Sequence, residues 1–213
     1  MYGVTNNHVA SLNYGNVQIG KRGDPILQPG VYDGGTLADK IGELERWIPI
    51  KLEEKNLVDA ALFVSDMLRG DILEVGKPDR LINPYVGQRV LKSGRSSGLT
   101  YSTIIDVNAT VKVDYGEEAG GEITFTDQIM VSPAFMSPGD SGSWVGDADT
   151  LQTVGIGFAG SPVVSVANKM SHVERLLGVE VFPPIGYVPP YALLGLWGSV
   201  GMASVGLMRP PKS

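Results

Sequence analysis

From Tyr85 to Ala167 the chain is a succession of short apolar runs, each closed by a turn signal before it reaches ordinary helix length. The candidate strands are Tyr85 to Leu91, Leu99 to Asn108, Ala109 to Tyr115, Glu122 to Val131, Ser143 to Val145, Leu151 to Phe158 and Val163 to Ala167. Ala109 to Tyr115 alternates cleanly, with Val111 and Val113 against Lys112 and Asp114, as a sheet with one buried face requires. Strands at this spacing predict antiparallel barrels or sandwiches rather than alternating strand–helix units. The 28 glycines and 14 prolines are scattered as punctuation, so they read as turns and not as a low-complexity segment.

The first third reads differently. Gly23-Asp24-Pro25, Gln28-Pro29-Gly30 and Asp33-Gly34-Gly35 mark a long turn-rich loop. Leu37, Ile41, Leu44 and Trp47 then fall at helical spacing and predict a short helix interrupted by Gly42. Trp47 to Leu52 and Leu57 to Ser65 read as strands, and Met170 to Leu177 as a short helix near the end of the folded part. Phe182-Pro183-Pro184 marks a boundary, giving three parts: 1–83, 84–182 and a Pro/Gly-rich apolar tail, 183–213.

Composition removes whole classes of function. There is no cysteine, which excludes disulfides, thiolate nucleophiles and cysteine-held metals. The two histidines, His8 and His172, are too few for a multi-histidine metal site, and no metal or cofactor is implied. The net charge of −6, with no basic cluster, argues against nucleic acid as a partner. The first residues have neither a basic start nor an apolar core, so no signal peptide is read and the cytoplasm is the favoured location.

Three segments carry chemistry. Pro138-Gly139-Asp140-Ser141-Gly142-Ser143 places a serine in a glycine-flanked turn, where main-chain N–H groups can converge on one point. A serine hydroxyl needs a positioned base, and a histidine titrates in the right range. Of the two histidines, His172 belongs to a polar helix face and reads as solvated, whereas His8 stands among Asn6, Asn7, Val9 and Ala10. Asp59 interrupts the apolar run Leu57 to Val64, where an unpaired carboxylate would be costly and an imidazole N–H would satisfy it. Each segment alone has an ordinary reading as a turn, a core histidine or a solvent-facing strand end. Together they stand in the order His8, Asp59, Ser141, at intervals of 51 and 82 residues.

With its flanking motifs, that order resembles the bacterial trypsin-like serine proteases of the chymotrypsin fold. The loop Gly23 to Gly35, the turn Lys92-Ser93-Gly94-Arg95-Ser96-Ser97-Gly98, and Phe158-Ala159-Gly160-Ser161 with Ala167-Asn168 carry the likeness over roughly residues 3–181. The resemblance implies an all-β chain of two six-stranded-type antiparallel barrels with a short C-terminal helix. His8 and Asp59 would lie in the first barrel (1–83) and Ser141 in the second (84–182). It implies catalysis by His8, Asp59 and Ser141, an oxyanion hole at Gly139 and Ser141, and a polypeptide substrate. Phe135, Met136, Ser137 and Pro138 would border the side-chain pocket, and Phe158, Ala159 and Gly160 would pair with extended substrate. No Asp occupies residues 135–138, so a Lys/Arg preference is not implied. Asp140 is expected to support the oxyanion loop, and Lys92 to Arg95 to form a structural turn with a solvated Arg95.

One departure is plain. Only seven residues precede His8, so the first barrel is expected to lack its N-terminal strand. Tyr191 to Met208 is uncharged over 18 residues, short and glycine-rich for a membrane span. Gly198 to Gly206 could instead supply the missing strand, within the molecule or to a neighbour, giving a homo-oligomer by strand exchange. A non-catalytic or self-processing module acting in binding or assembly is the alternative function.

Overall fold

A computed structural model of the chain describes residues 1–181 and the short strand Ala192–Leu193. The tail readings on Tyr191 to Met208 and Gly198 to Gly206 otherwise fall outside the described residues. Ala192–Leu193 runs parallel to Glu180–Val181. No helix among the described residues is long and apolar enough to cross a membrane.

Two antiparallel sheets carry the fold. The smaller has four strands in the order Tyr2–Thr5, Ala61–Val64, Lys40–Trp47, Pro25–Leu27. The larger runs Trp144–Asp147, Arg89–Gly94, Gly98–Asp114, Glu122–Ser132, Ser165–Lys169, Gln152–Gly160. Trp144–Asp147 pairs with Gln152–Gly160 as well as with Arg89–Gly94, which closes these six strands into a barrel. Closure leaves no free edge along the paired stretch. Asp79–Leu81 adds a parallel strand to the outside of this sheet, so the larger sheet draws on residues before 84. The chain therefore has the all-β, chymotrypsin-like architecture.

Most strands after residue 84 lie close to where the alternation puts them, and three readings are corrected. The segment expected to be a helix, Leu37 to Trp47, is a single 3-10 turn, Leu37–Asp39, followed by the strand Lys40–Trp47. In its pairing with Pro25–Leu27, Gly42 opposes Ile26 and Lys40 opposes Leu27, so Ile41 is an extra residue and the period-two alternation breaks there. Ile41 and Leu44 are thereby both buried at the three-residue spacing of a helix. Gly42 is required there, since a Cβ would stand 2.3 Å from the Val64 carbonyl oxygen. The strand expected from Trp47 to Leu52 does not form, since Lys40–Trp47 ends where it was to begin. Pro49 has no N–H to offer a ladder, and Ile50 makes an isolated bridge to Tyr14. Leu99 to Asn108 and Ala109 to Tyr115 are one strand, Gly98–Asp114, whose pairing with Glu122–Ser132 shifts register on both strands, with Asp127 of the partner at φ 60°.

The helix Met170–Leu177 forms as its periodicity predicts, burying Met170, Val173 and Leu177 and stopping at Gly178 in the left-handed conformation. His172 on this helix is not simply solvated. Its Nε2 lies 2.6 Å from Asp127 Oδ2, and Lys169 reaches the other oxygen of the same carboxylate. Burial pushes the Glu174 carboxyl up to about 7, with Glu180 adding to the effect, although the Val181 N–H donates to Glu174 Oε1. An acid with a raised folded pKa stabilises the fold fully below its unfolded value and loses that contribution as pH rises. Stability should therefore fall between about pH 4.5 and 7, and Glu174→Gln should flatten this part of a chemical-denaturation pH series.

Candidate active site

His8 belongs to a one-turn helix, Asn7–Ala10, entered directly from the strand Tyr2–Thr5. Two wholly buried asparagines fix this turn. Asn6 Nδ2 donates to the Asp59 main-chain oxygen at 2.7 Å, and Asn7 Nδ2 donates to the carbonyls of Asn13 and Ile48 at 2.8 and 2.6 Å. Asn7 Oδ1 accepts from Ser11 Oγ and the Asn13 N–H. The sequence reading passed over both amides; consecutive asparagines ahead of a lone histidine were the available signal.

Asp59 is completely buried. It lies just before the strand Ala61–Val64, not within it. Its Oδ1 accepts the His8 main-chain N–H at 3.1 Å, and its Oδ2 lies 2.5 Å from His8 Nδ1. Oδ2 also accepts the Tyr115 hydroxyl at 2.6 Å. The main chain is held from the larger sheet: the Asp59 N–H donates to Asn168 Oδ1 at 3.0 Å, and Asn168 Nδ2 donates to Gln128 Oε1 at 2.7 Å. Gln128 in turn donates to the Leu57 carbonyl. Several kcal/mol of desolvation is the usual cost of such a buried carboxylate, and it is met here by donors from both sheets.

Ser141 lies in the turn after the buried Asp140 and is half-buried. Gly139 and Gly142 have φ 97° and 85°, and a Cβ on Gly139 would meet Ser96 Oγ at 2.4 Å. The turn docks on the Gln152–Gly160 strand, the Gly142 N–H donating to the Gly157 carbonyl at 2.8 Å and the Gly157 N–H to that of Ser143 at 2.9 Å. The next residue, Phe158, lines a cleft of about 580 Å³ together with His8, Tyr14, Val111, Val113, Tyr115, Ala159 and Gly160. Ser141 thus belongs to the larger sheet and the His8–Asp59 pair to the smaller one, and Ser141 is not among the residues that line this cleft. Among the described residues the Ser141 hydroxyl makes no hydrogen bond, and the N–H groups of Gly139 and Ser141 donate to no protein acceptor.

The remaining predicted positions divide. Phe135 is turned into the core with Val90, Ile104 and Val145. Met136 is half-buried, its sulfur against the face of Gly157, and Ser137 is exposed. Phe158 is buried with its ring 4.8 Å from Phe125, while Ala159 and Gly160 remain at the cleft wall.

The turn at residues 92–98 differs most from expectation. Lys92 is fully buried, 3.2 Å from Asp140 Oδ2, and donates to Ser97 Oγ and the Gly98 carbonyl. Asp140 also accepts from the Ser97 hydroxyl and the N–H groups of Ser96, Ser97 and Ser137. Burial works to raise the Asp140 carboxyl, but the Ser97 hydroxyl, the amides and Lys92 hold it below its ordinary value. Burial pushes the Lys92 ammonium down, partly offset by Asp140. Arg95 is half-buried rather than free in solvent: it pairs with Asp33 of the early loop and lies 6.0 Å from the Tyr32 ring centroid.

No family model and no curated protein sequence matches this chain. Solved structures do. One is a glutamic-acid-specific serine protease that uses a histidine triad in substrate binding, 20% identical, covering 85% of this chain and 86% of its own, with a TM-score of 0.54. Nocardiopsis protease is 20% identical, covering 82% and 81%, at 0.52. Cellulomonas bogoriensis chymotrypsin is 19% identical, covering 82% and 98%, at 0.53. At these identities the likeness is one of fold: the chain has the chymotrypsin fold of bacterial serine proteases.

Breaking a buried ion pair from one side leaves an uncompensated charge. Lys92→Met should therefore cost about 3–5 kcal/mol in urea unfolding. The Asp140 contribution is complete above the ordinary carboxyl value of 3.8 and is lost as pH falls through its lower folded value. Wild type should accordingly lose stability more steeply than Lys92→Met on acidification below that pH.

Proposed function

We propose that this protein is a serine endopeptidase with Ser141 as nucleophile, His8 as general base and Asp59 as the group that orients the imidazole. The observation that carries the reading is the completely buried Asp59 carboxylate bonded to both the main chain and the ring of His8. A carboxylate on Nδ1 leaves Nε2 as the proton-accepting nitrogen and stabilises the imidazolium that forms. The serine turn docks beside the cleft that His8 lines.

In this mechanism Ser141 Oγ attacks a peptide carbonyl carbon while His8 Nε2 takes the hydroxyl proton. The tetrahedral oxyanion is received by the N–H groups of Gly139 and Ser141. Two features support that role. Neither donor is used within the described protein, and the Ser96 hydroxyl holds the Pro138 carbonyl at 2.7 Å. In a trans peptide the C=O and the following N–H point oppositely, so the Gly139 N–H is directed away from Ser96. Each such donor is typically worth about 2.7–4 kcal/mol of barrier lowering. His8 then gives its proton to the leaving amine, and water, activated by the same base, releases the acyl group and restores the hydroxyl. Extended substrate would add as a strand along Phe158 to Gly160.

A fluorophosphonate probe should label the folded protein at Ser141, and Ser141→Ala should abolish labelling as read by peptide mass spectrometry. Labelling and peptidase rate should both rise with pH as the imidazole loses its proton. A folded wild-type protein that takes no label would instead point to the non-catalytic binding module.

A further inference from the structure

We propose that Tyr115 is a positioning residue of this site: its hydroxyl holds the Asp59 carboxylate in the orientation from which His8 works. The proposal rests on the reading of His8, Asp59 and Ser141 as a catalytic triad. Among the described residues, three hydrogen bonds reach this carboxylate: the His8 main chain, the His8 ring and the Tyr115 hydroxyl. Two of the three come from the base itself. Tyr115 is therefore the one donor that fixes the carboxylate independently of the group it must orient.

The tyrosine is well placed for this. Val111, Val113 and Tyr115 share one face by the period of two, and all three line the cleft. Tyr115 follows the strand Gly98–Asp114, and its N–H donates to the Gly121 carbonyl across the hairpin. Its ring stacks on Phe125 at 6.1 Å, meets Tyr14 at 5.0 Å and presents an edge contact to His8 at 6.0 Å and 82°. The aromatic wall leaves the hydroxyl little freedom to leave Asp59. Burial, with the Asp59 charge adding to it, holds the phenol well above its ordinary value, so it remains a donor across the working pH range. Tyr14, raised by burial and then by Asp59 and Glu118, is likewise neutral. Among the described residues, Tyr115 and Tyr14 are the titratable groups nearest the His8–Asp59 pair, with Glu118 beyond Tyr14 and with Lys112 and Asp114 lining the same cleft as His8.

A hydroxyl in this position acts on the step rather than on binding. It shares the carboxylate with the imidazole and keeps Oδ2 aligned while the ring gains and loses its proton. It also adds the larger sheet's hairpin to the support that Asn168, of the same sheet, gives the Asp59 main chain.

Tyr115→Phe keeps the ring and removes the hydroxyl. The expected result is a kcat about 10- to 100-fold lower with KM changed less than about twofold, the scale of one hydrogen bond to a charged group. The His8 ring titration, followed by NMR, should move upward, because the carboxylate facing the imidazolium loses a competing donor. A folded Tyr115→Phe protein with unchanged kcat and an unchanged His8 titration overturns the proposal and leaves the triad reading intact. A wild-type protein that takes no fluorophosphonate label overturns the triad reading, and the proposal with it as a catalytic role. In that case the His8 titration alone decides whether Tyr115 acts on the pair. Should Tyr115→Phe fail to fold, 3-fluorotyrosine introduced at position 115 keeps a hydroxyl of greater donor strength. The His8 titration should then move downward, and no movement overturns the proposal.

Discussion

A single buried carboxylate organises the half of this molecule that contains His8. Asp59 has no access to water, so every lone pair it directs into the protein must be met there. Its donors are the main chain and ring of His8 and the hydroxyl of Tyr115, while its own N–H is taken by Asn168. Those partners come from the one-turn helix after the first strand, from the hairpin beyond Asp114 and from the Ser165–Lys169 strand. Satisfying one charge thereby fixes the relation between the two sheets at the place where the cleft opens.

Asp140 sets the same problem on the serine side and is solved by other means. It too is fully buried, but it has a buried cation, Lys92, as well as a hydroxyl and main-chain donors. The difference follows from what each carboxylate holds. Asp140 secures a turn whose glycines adopt left-handed φ values, and a full counter-charge suits a fixed element. Asp59 faces an imidazole whose charge would change during a reaction, and neutral donors beside it leave that charge to the histidine.

Legibility varied with how local the deciding physics was. The alternation at Val111 and Val113, the helix Met170–Leu177 and its Gly178 stop depend on neighbours in the chain, and they appear close to where the pattern puts them. Leu37 to Trp47 misled because an extra residue at Ile41, which exists only in pairing with Pro25–Leu27, buries Ile41 and Leu44 at a helical spacing. Arg95 read as solvated because charged side chains usually are, and Lys92 only as part of a structural turn. The burial of Lys92 and the pairing of Arg95 depend on Asp140 and Asp33, which are distant in the chain. Tyr115 looked like the last residue of an alternating strand, and nothing near it in sequence announces a hydroxyl aimed at residue 59.

From residue types and order alone one could single out His8, Asp59 and Ser141 as candidates, exclude cysteine chemistry, and expect antiparallel barrels or sandwiches; two closed barrels and a joint triad were what the family resemblance implied. The first set of conclusions follows from composition, periodicity and the few side chains able to act as base or nucleophile. Which donors meet the two buried carboxylates, and which apolar side chains face the cleft rather than the core, was decided only by the folded chain. Hydrogen bonds and burial are set by distances in space, and here they join residues as far as 109 positions apart along the chain.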